Sequence, residues 1–323
     1  MLVAYIIRKT IESHIITQDN RELLKEALWI DLLSPSKEEE DLVEHYLGLG
    51  IPTREEMIEI EQSSRLYKEN GILFLTAIMI AQHESADPIL DPVTFILTPK
   101  QLITMRYIEP KSFNIFSNKL QKTAPSSYDA LTLLLDLYDV TIDRLADTLE
   151  LVGHRLDEYS KNIFRSHNQN EANVDYRNLM QQIGANGDLN TKARESLVTF
   201  NRLIVFLGHT EDSRIDSDKQ SRLATLGKDI DSLSDHANFL STKVNFLLDA
   251  TLGMVNIEQN NIIKIFSVAA VIFLPPTLVA SIYGMNFHFM PELHWKYGYI
   301  FAVALILVAA WLPYKYFKYK KWL

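Results

Sequence analysis

Two segments near the C-terminus carry almost nothing but apolar side chains, about Ile262 to Ile282 and about Tyr297 to Phe317. Each is roughly 20 residues, or about 30 Å as helix, which matches the hydrocarbon core of a bilayer. The pattern predicts two membrane spans joined by a short loop, Tyr283 to Lys296. Upstream, from about Ser217 onward, no proline occurs before Pro275, and only Gly227 and Gly253 interrupt a helical pattern. One helix on the order of 65 residues, close to 100 Å, is therefore expected to form a stalk that continues into the first span.

The first 110 residues alternate differently and read as a mixed α/β domain. Short β-branched or aromatic runs at Leu2 to Thr10, Ile15 to Thr17 and Trp29 to Leu32 suit strands. Ser36 with Glu39 and Thr53 with Glu56 fit capping boxes, placing helices near 37–47 and 54–62. Asn70-Gly71, between Arg65–Tyr67 and Ile72–Leu75, predicts a hairpin turn, and Val93–Leu97 with Leu102–Arg106 a second strand pair. Thr123–Ser127 marks a boundary beyond which everything is helical, over about 128–166, 171–183 and 192–208 before the stalk. Breaks are expected at Ser166–Asn168, Gly184–Asp188 and His209–Ser213. The resulting domains are 1–125 (α/β), 126–261 (helical region and stalk) and 262–323 (membrane). The last comprises spans 262–282 and 297–317, the loop 283–296 and a basic tail 318–323.

Composition narrows the chemistry. With 41 acidic and 32 basic residues the formal charge is -9, which argues against nucleic acid as a partner. There is no cysteine, so disulfides, thiolate metal sites and cysteine nucleophiles are excluded. No phosphate loop or nucleophile stands out, and an enzyme is not expected; Gly227-Lys228 is followed by Asp229 where a phosphate loop needs Ser or Thr. Met1–Tyr5 has no signal-peptide pattern, so the N-terminal part is expected in the cytoplasm. Lys315, Lys318, Lys320 and Lys321 crowd the end of the second span, whereas the loop carries Glu292 and Lys296 as its fixed charges. The positive-inside rule then puts both termini in the cytoplasm and the loop outside.

Read every third or fourth position, the first span shows Asn260, Ile263, Ser267, Ala270, Leu274, Thr277 and Ser281, most of them small or polar. Asn256, Gly253 and Asp249 extend the same face inward. Such a stripe serves either close packing of membrane helices or a water-filled axis. Its continuity between Asp249 and Asn286 favours the axis, and since one hairpin encloses nothing, an axis requires symmetry-related copies.

The order long helix, Tyr283-Gly284-Met285-Asn286-Phe287, Met290-Pro291-Glu292-Leu293, second span and lysine-rich tail resembles the CorA family of divalent-cation channels. The likeness extends back through Ile257–Asn260 and Leu274–Thr277. It implies a funnel-shaped homopentamer in the cell inner membrane, with an α/β cytoplasmic domain, a long-helix stalk and two C-terminal spans. It further implies Mg2+ as the transported ion, with Co2+ and Ni2+ also passing, and no cofactor.

By matching position, Gly284, Met285 and Asn286 form the outer selectivity filter. A neutral Asn286 carbonyl can accept hydrogen bonds from the water shell that Mg2+ is reluctant to lose. Thr277 and Asn260 become polar stations in the pore, and Leu274, Phe266 or Ile263 the narrow apolar gate, with Phe266 and Ser267 competing for the pore face. His288 stands where many relatives have an acid, leaving Glu292 to concentrate cations at the mouth. Cytoplasmic Mg2+ closes channels of this family, and Asp229, Asp231, Asp235 and Asp249 are the regulatory candidates. Two alternatives remain: a zinc transporter of the ZntB-like branch, against which the intact Met285 speaks, and a membrane-tethered scaffold or signalling protein. The acidic row Asp136, Asp139, Asp143, Asp147 and Glu150 is read as a solvated helix face, or else as an attractor of Mg2+ or of the C-terminal lysines.

Overall fold

The computed structural model describes the chain except residues 9–10, 49, 60, 83–86, 124–127, 166–174, 211–213, 286–287, 289, 321 and 323. It divides into two compact units, Met1–Leu248 and Asp249–Leu323.

The first unit is built on a seven-stranded sheet in the order β2-β1-β3-β7-β6-β5-β4. The strands are β1 (Leu2–Ile7), β2 (Ile11–Ile15), β3 (Ala27–Leu33), β4 (Leu66–Glu69), β5 (Ile72–Ala81), β6 (Ile89–Leu97) and β7 (Leu102–Arg106). All neighbours are antiparallel except β3 and β7 at the centre. Side chains alternate across the sheet. Ile30 and Leu32 join Ile96, Ile103 and Met105 in a core on one face with Val43 of α1 (Lys37–Leu47) and Met57 of α2 (Arg54–Ile58). Trp29 and Asp31 point the other way. There Trp29 lies 5.6 Å from Phe116 of α4 (Lys111–Thr123), and Phe95 meets Tyr138 of α5 (Ala130–Arg165) edge-on at 5.1 Å. Tyr138 in turn meets Phe200 of α6 (Tyr176–His209) at 5.3 Å.

The parallel β3/β7 pair is fastened by a buried ion pair. Arg106 Nη2 lies 2.7 Å from Asp31 Oδ2 and its Nε donates to Oδ1 at 3.1 Å. Thr104 donates to Asp31 Oδ1 at 2.6 Å and accepts from the Trp29 indole at 2.9 Å, so the carboxylate is fully engaged. A buried charge is tolerated only when paired and hydrogen-bonded, and this one is both.

Both capping boxes form: Ser36 and Glu39 open α1, and Thr53 and Glu56 open α2. At the hairpin, Asn70 and Gly71 take φ of 49° and 81°, the left-handed pair that a type I′ turn requires, and Glu69 pairs with Ile72. Three local expectations are corrected. The strand expected at Ile15 to Thr17 lies instead at Ile11–Ile15, because Thr17 N donates to Asn20 Oδ1 at 2.7 Å and opens a 3-10 helix over Gln18–Lys25. The helix expected to reach residue 62 stops at Ile58, where Arg65 reaches back to the free carbonyls of Ile58 and Glu59; a short α3 (Gln62–Arg65) follows. The break expected at Gly184–Asp188 is absent, since α6 runs through it.

Packing explains that continuity. A Cβ on Gly187 would lie 3.1 Å from Val244 Cγ1, so even a methyl there would press on the next helix. Asn186 donates to the Tyr159 hydroxyl at 3.2 Å, and Asn190 to Ala237 O at 2.9 Å and Ser241 Oγ at 2.8 Å. These contacts outweigh a glycine penalty of about 1 kcal/mol per residue. Further along α6, Ser196 and Thr199 bond the backbone of Ile78 at 2.7 and 3.0 Å, beyond Leu75, where β4 stops pairing with β5.

The stalk helix α7 runs Ser217–Tyr283 as expected. Its N-terminal part is strapped by three cations to α5 and to the residue just before it: Lys219 to Asp129 at 2.6 Å, Arg222 to Asp136 and Asp139 at 2.6 and 2.5 Å, and Lys243 to Asp157 at 2.8 Å. Arg144 takes Asp147 at 2.7 Å. The acidic row is thus largely occupied within the unit. Burial pushes the Asp139 carboxyl up and its bonds to Arg222 only partly offset this.

Candidate ion pathway

The second unit holds the end of α7 and α8 (Gly298–Tyr319), joined through a 3-10 turn at Pro291–His294. Both helices are long and apolar enough to span a bilayer, and only 6% of each apolar window is buried. A core helix of a soluble protein would be mostly covered; these two present their apolar surface outward. Val268 and Phe317 are among the few buried side chains of this unit.

Every stripe residue lies on this helix and is exposed: Asp249, Asn260, Ile263, Phe266, Ser267, Ala270, Leu274, Thr277 and Ser281. Phe266 and Ser267 are both exposed, so a single chain leaves their competition open. Between Asn260 and Ser281 the only charged residue is Lys264, which is off the stripe and directed at the Trp322 ring. The row itself carries no fixed charge beyond Asp249.

Thr277 shows how the stripe is tuned. Its hydroxyl donates to Phe273 O at 2.7 Å, so the donor is spent on the helix and Oγ1 keeps its lone pairs as an acceptor on an exposed side chain. An acceptor so presented suits the hydrogens of a cation's water shell. Directly before it, Pro275 and Pro276 lie inside α7. Neither has an N–H, so the carbonyls of Val271 and Ile272 receive no helical bond, which makes this turn the natural place for the helix to bend.

The helix closes at Gly284, whose N–H reaches Ala280 O at 2.9 Å, and Met285 N reaches Ile282 O at 3.3 Å. A Cβ on Gly284 would sit 3.1 Å from the Ala280 carbonyl oxygen. That contact is tight, and a side chain there would require the turn to shift by a few tenths of an ångström. Asn286 and Phe287 lie outside the described residues, as does the side chain of Glu292; His288 is exposed. Asp229, Asp231 and Asp235 are exposed along α7, with Asn201 donating to Asp231 at 3.3 Å. Among the described residues no three His, Asp or Glu side chains come together as a metal site within one chain. Sequence reasoning passed over Lys264 as a functional residue, although a lone lysine inside an apolar span is visible without a structure.

An α/β unit whose last helix continues into a two-helix membrane hairpin defines a membrane protein of transporter architecture. The family described as CorA-like Mg2+ transporter protein matches residues 25–320, and the chain belongs to that family. It is 37% identical over 305 residues to the magnesium transport protein CorA of Sodalis glossinidius, covering 94% of this chain and 95% of that one. It is 35% identical over 323 residues to the magnesium transport protein CorA of Escherichia coli, covering 100% of both. The fold is similar to that of the complete CorA magnesium transporter from Methanocaldococcus jannaschii, with a TM-score of 0.78 at 17% identity over 100% of this chain and 99% of the other.

Proposed function

We propose that this chain is a passive, potential-driven Mg2+ influx channel, working as a homopentamer in the cell inner membrane with both termini cytoplasmic. The observation that carries the reading is the unbroken α7, which brings an exposed row of small and polar residues up to Gly284 and Met285. Identity of 35–37% to proteins named for magnesium transport supports the choice of ion. The zinc alternative has no comparable support.

In this reading five copies of the row enclose the axis, with Gly284, Met285 and Asn286 as the outer filter. Asn260 and Thr277 are polar stations, and the gate lies among Ile263, Phe266 and Leu274. Glu292 concentrates cations at the mouth, and Co2+ and Ni2+ also pass. A divalent cation gains on the order of 4 to 5 kcal/mol per 100 mV of inside-negative potential, so no energy-coupling motif is required. Cytoplasmic Mg2+ held between copies by Asp249 with Asp229, Asp231 or Asp235 closes the channel.

The test is Mg2+ influx into proteoliposomes under an imposed inside-negative potential. Native protein should take up Mg2+, and Asn286→Ala should lose uptake while remaining assembled. Absence of Mg2+, Co2+ and Zn2+ flux in correctly inserted native protein would instead favour a tethered scaffold.

A further inference from the structure

The second unit gathers basic and aromatic side chains at one end. Lys264, near the start of the first span, directs its ammonium at the Trp322 ring, 5.6 Å from the centre. Trp322 is itself positioned: its backbone N–H donates to Phe317 O at 3.0 Å and its ring stacks on Phe317 at 5.6 Å. One and two turns earlier on α8, Lys318 lies 5.9 Å from the Tyr314 ring and Lys315 lies 4.8 Å from the Trp311 ring. Lys320 follows directly. Among the described residues none of these four lysines has a carboxylate partner, and the unit's acids, Asp249, Glu258 and Glu292, lie elsewhere in the sequence.

An aromatic face attracts an ammonium but satisfies none of its hydrogen bonds, which remain available to an anion. The helices that carry the lysines are apolar and bare, so a fitting occupant joins an anionic head to an apolar body. A free phosphate or a nucleotide meets only half of that description. We propose that Lys264, Lys315, Lys318 and Lys320, with Trp311, Tyr314 and Trp322, form a binding site for the phosphodiester headgroup of an anionic phospholipid. Lys264 and Trp322 clamp it from the two helices, and the acyl chains follow the exposed spans. This rests on the reading of α7 and α8 as bilayer spans.

The test is native mass spectrometry of the full-length chain in neutral detergent, with phosphatidylglycerol and phosphatidylcholine offered at equal concentration. Phosphatidylglycerol should be retained preferentially. Retention should fall about fivefold for Lys264→Gln and further for Lys264→Gln with Lys318→Gln, as expected for charges at a membrane surface. Trp322→Leu keeps every charge but removes the clamp, and should lose part of the preference. Equal retention of the two lipids, or an unchanged preference in the double variant, would overturn the site. Displacement by millimolar inorganic phosphate would overturn the lipid assignment in favour of a free anion. Flotation of the native chain with vesicles is scored separately, and failure to float would strike the spanning reading instead.

Discussion

The two units solve opposite problems. In Met1–Leu248 the sheet is covered on both faces, its central carboxylate is matched by Arg106 and Thr104, and the acids of α5 find cations on α7. In Asp249–Leu323 the apolar surface faces outward, and the polar row, the lysines and the aromatic rings lie at the periphery. The first unit satisfies its charged and apolar groups largely from within. The second leaves its apolar surface and its polar row exposed, which the proposed function accounts for by lipid and further copies of the chain.

The sharpest way to break this contrast is to fill the row. Ala270→Trp should reduce Mg2+ uptake to background while cross-linked oligomers persist, whereas Ile265→Trp, on another side of the helix, should keep most of the uptake. If Ala270→Trp instead dissociates the oligomer, the row is a packing seam and the channel reading loses its axis. Within the first unit the largest effect falls on the central ion pair. Asp31→Ala strands a buried guanidinium and should cost about 3–5 kcal/mol in urea unfolding. A smaller loss, about 1–3 kcal/mol, is expected for Gly187→Val, which forces a side chain against Val244. A stability equal to native would mean that α6 and α7 can separate freely at that point.

Acid gives the smallest effect and carries a sign. Burial pushes the Asp129 carboxyl up, but hydrogen bonds from Lys219 and Thr132 outweigh it and hold the group below its ordinary range. The folded chain then binds fewer protons just below about pH 4, so this contribution is present above that pH and lost as pH falls. Asp139 is raised, chiefly by burial, so its contribution runs the other way and is lost as pH rises through the range just above about pH 4. Thermal unfolding from about pH 3 to 6 should show a flatter acid limb for Asp129→Asn and a steeper rise with pH for Asp139→Asn. Identical slopes would remove both groups from the acid response.

Features governed by neighbours in sequence were legible in it. The two capping boxes, the Asn70-Gly71 turn, both spans and the length of α7 each depend on residues within a few positions of one another or on a sustained period. Of the proposed pathway, the row and the loop motif are patterns of the sequence, whereas the approach of Lys264 to Trp322 depends on two segments distant in sequence meeting. The misreadings share one cause. Gly184 and Gly187 look like a break because glycine weakens a helix, and only Val244, Tyr159 and Ser241, far away in sequence, reverse that. Likewise, the 54–62 helix was overextended because Arg65 could not be seen to reach the Ile58 carbonyl.

The sequence by itself determined that this chain has two bilayer-length helices, a long continuous stalk, a cysteine-free α/β region ahead of it and a polar row ending in Tyr-Gly-Met-Asn-Phe. Periodicity, capping and hydrophobic length are local quantities, and they survive without knowledge of the fold. The tertiary structure alone decided that β3 and β7 pair in parallel around a buried ion pair, that Asp129 and the acids of α5 find Lys219, Arg222 and Lys243, and that Lys264 faces Trp322. Each of these joins residues dozens of positions apart, and a charge or a ring acquires its role only from the partner that the fold brings within a few ångströms.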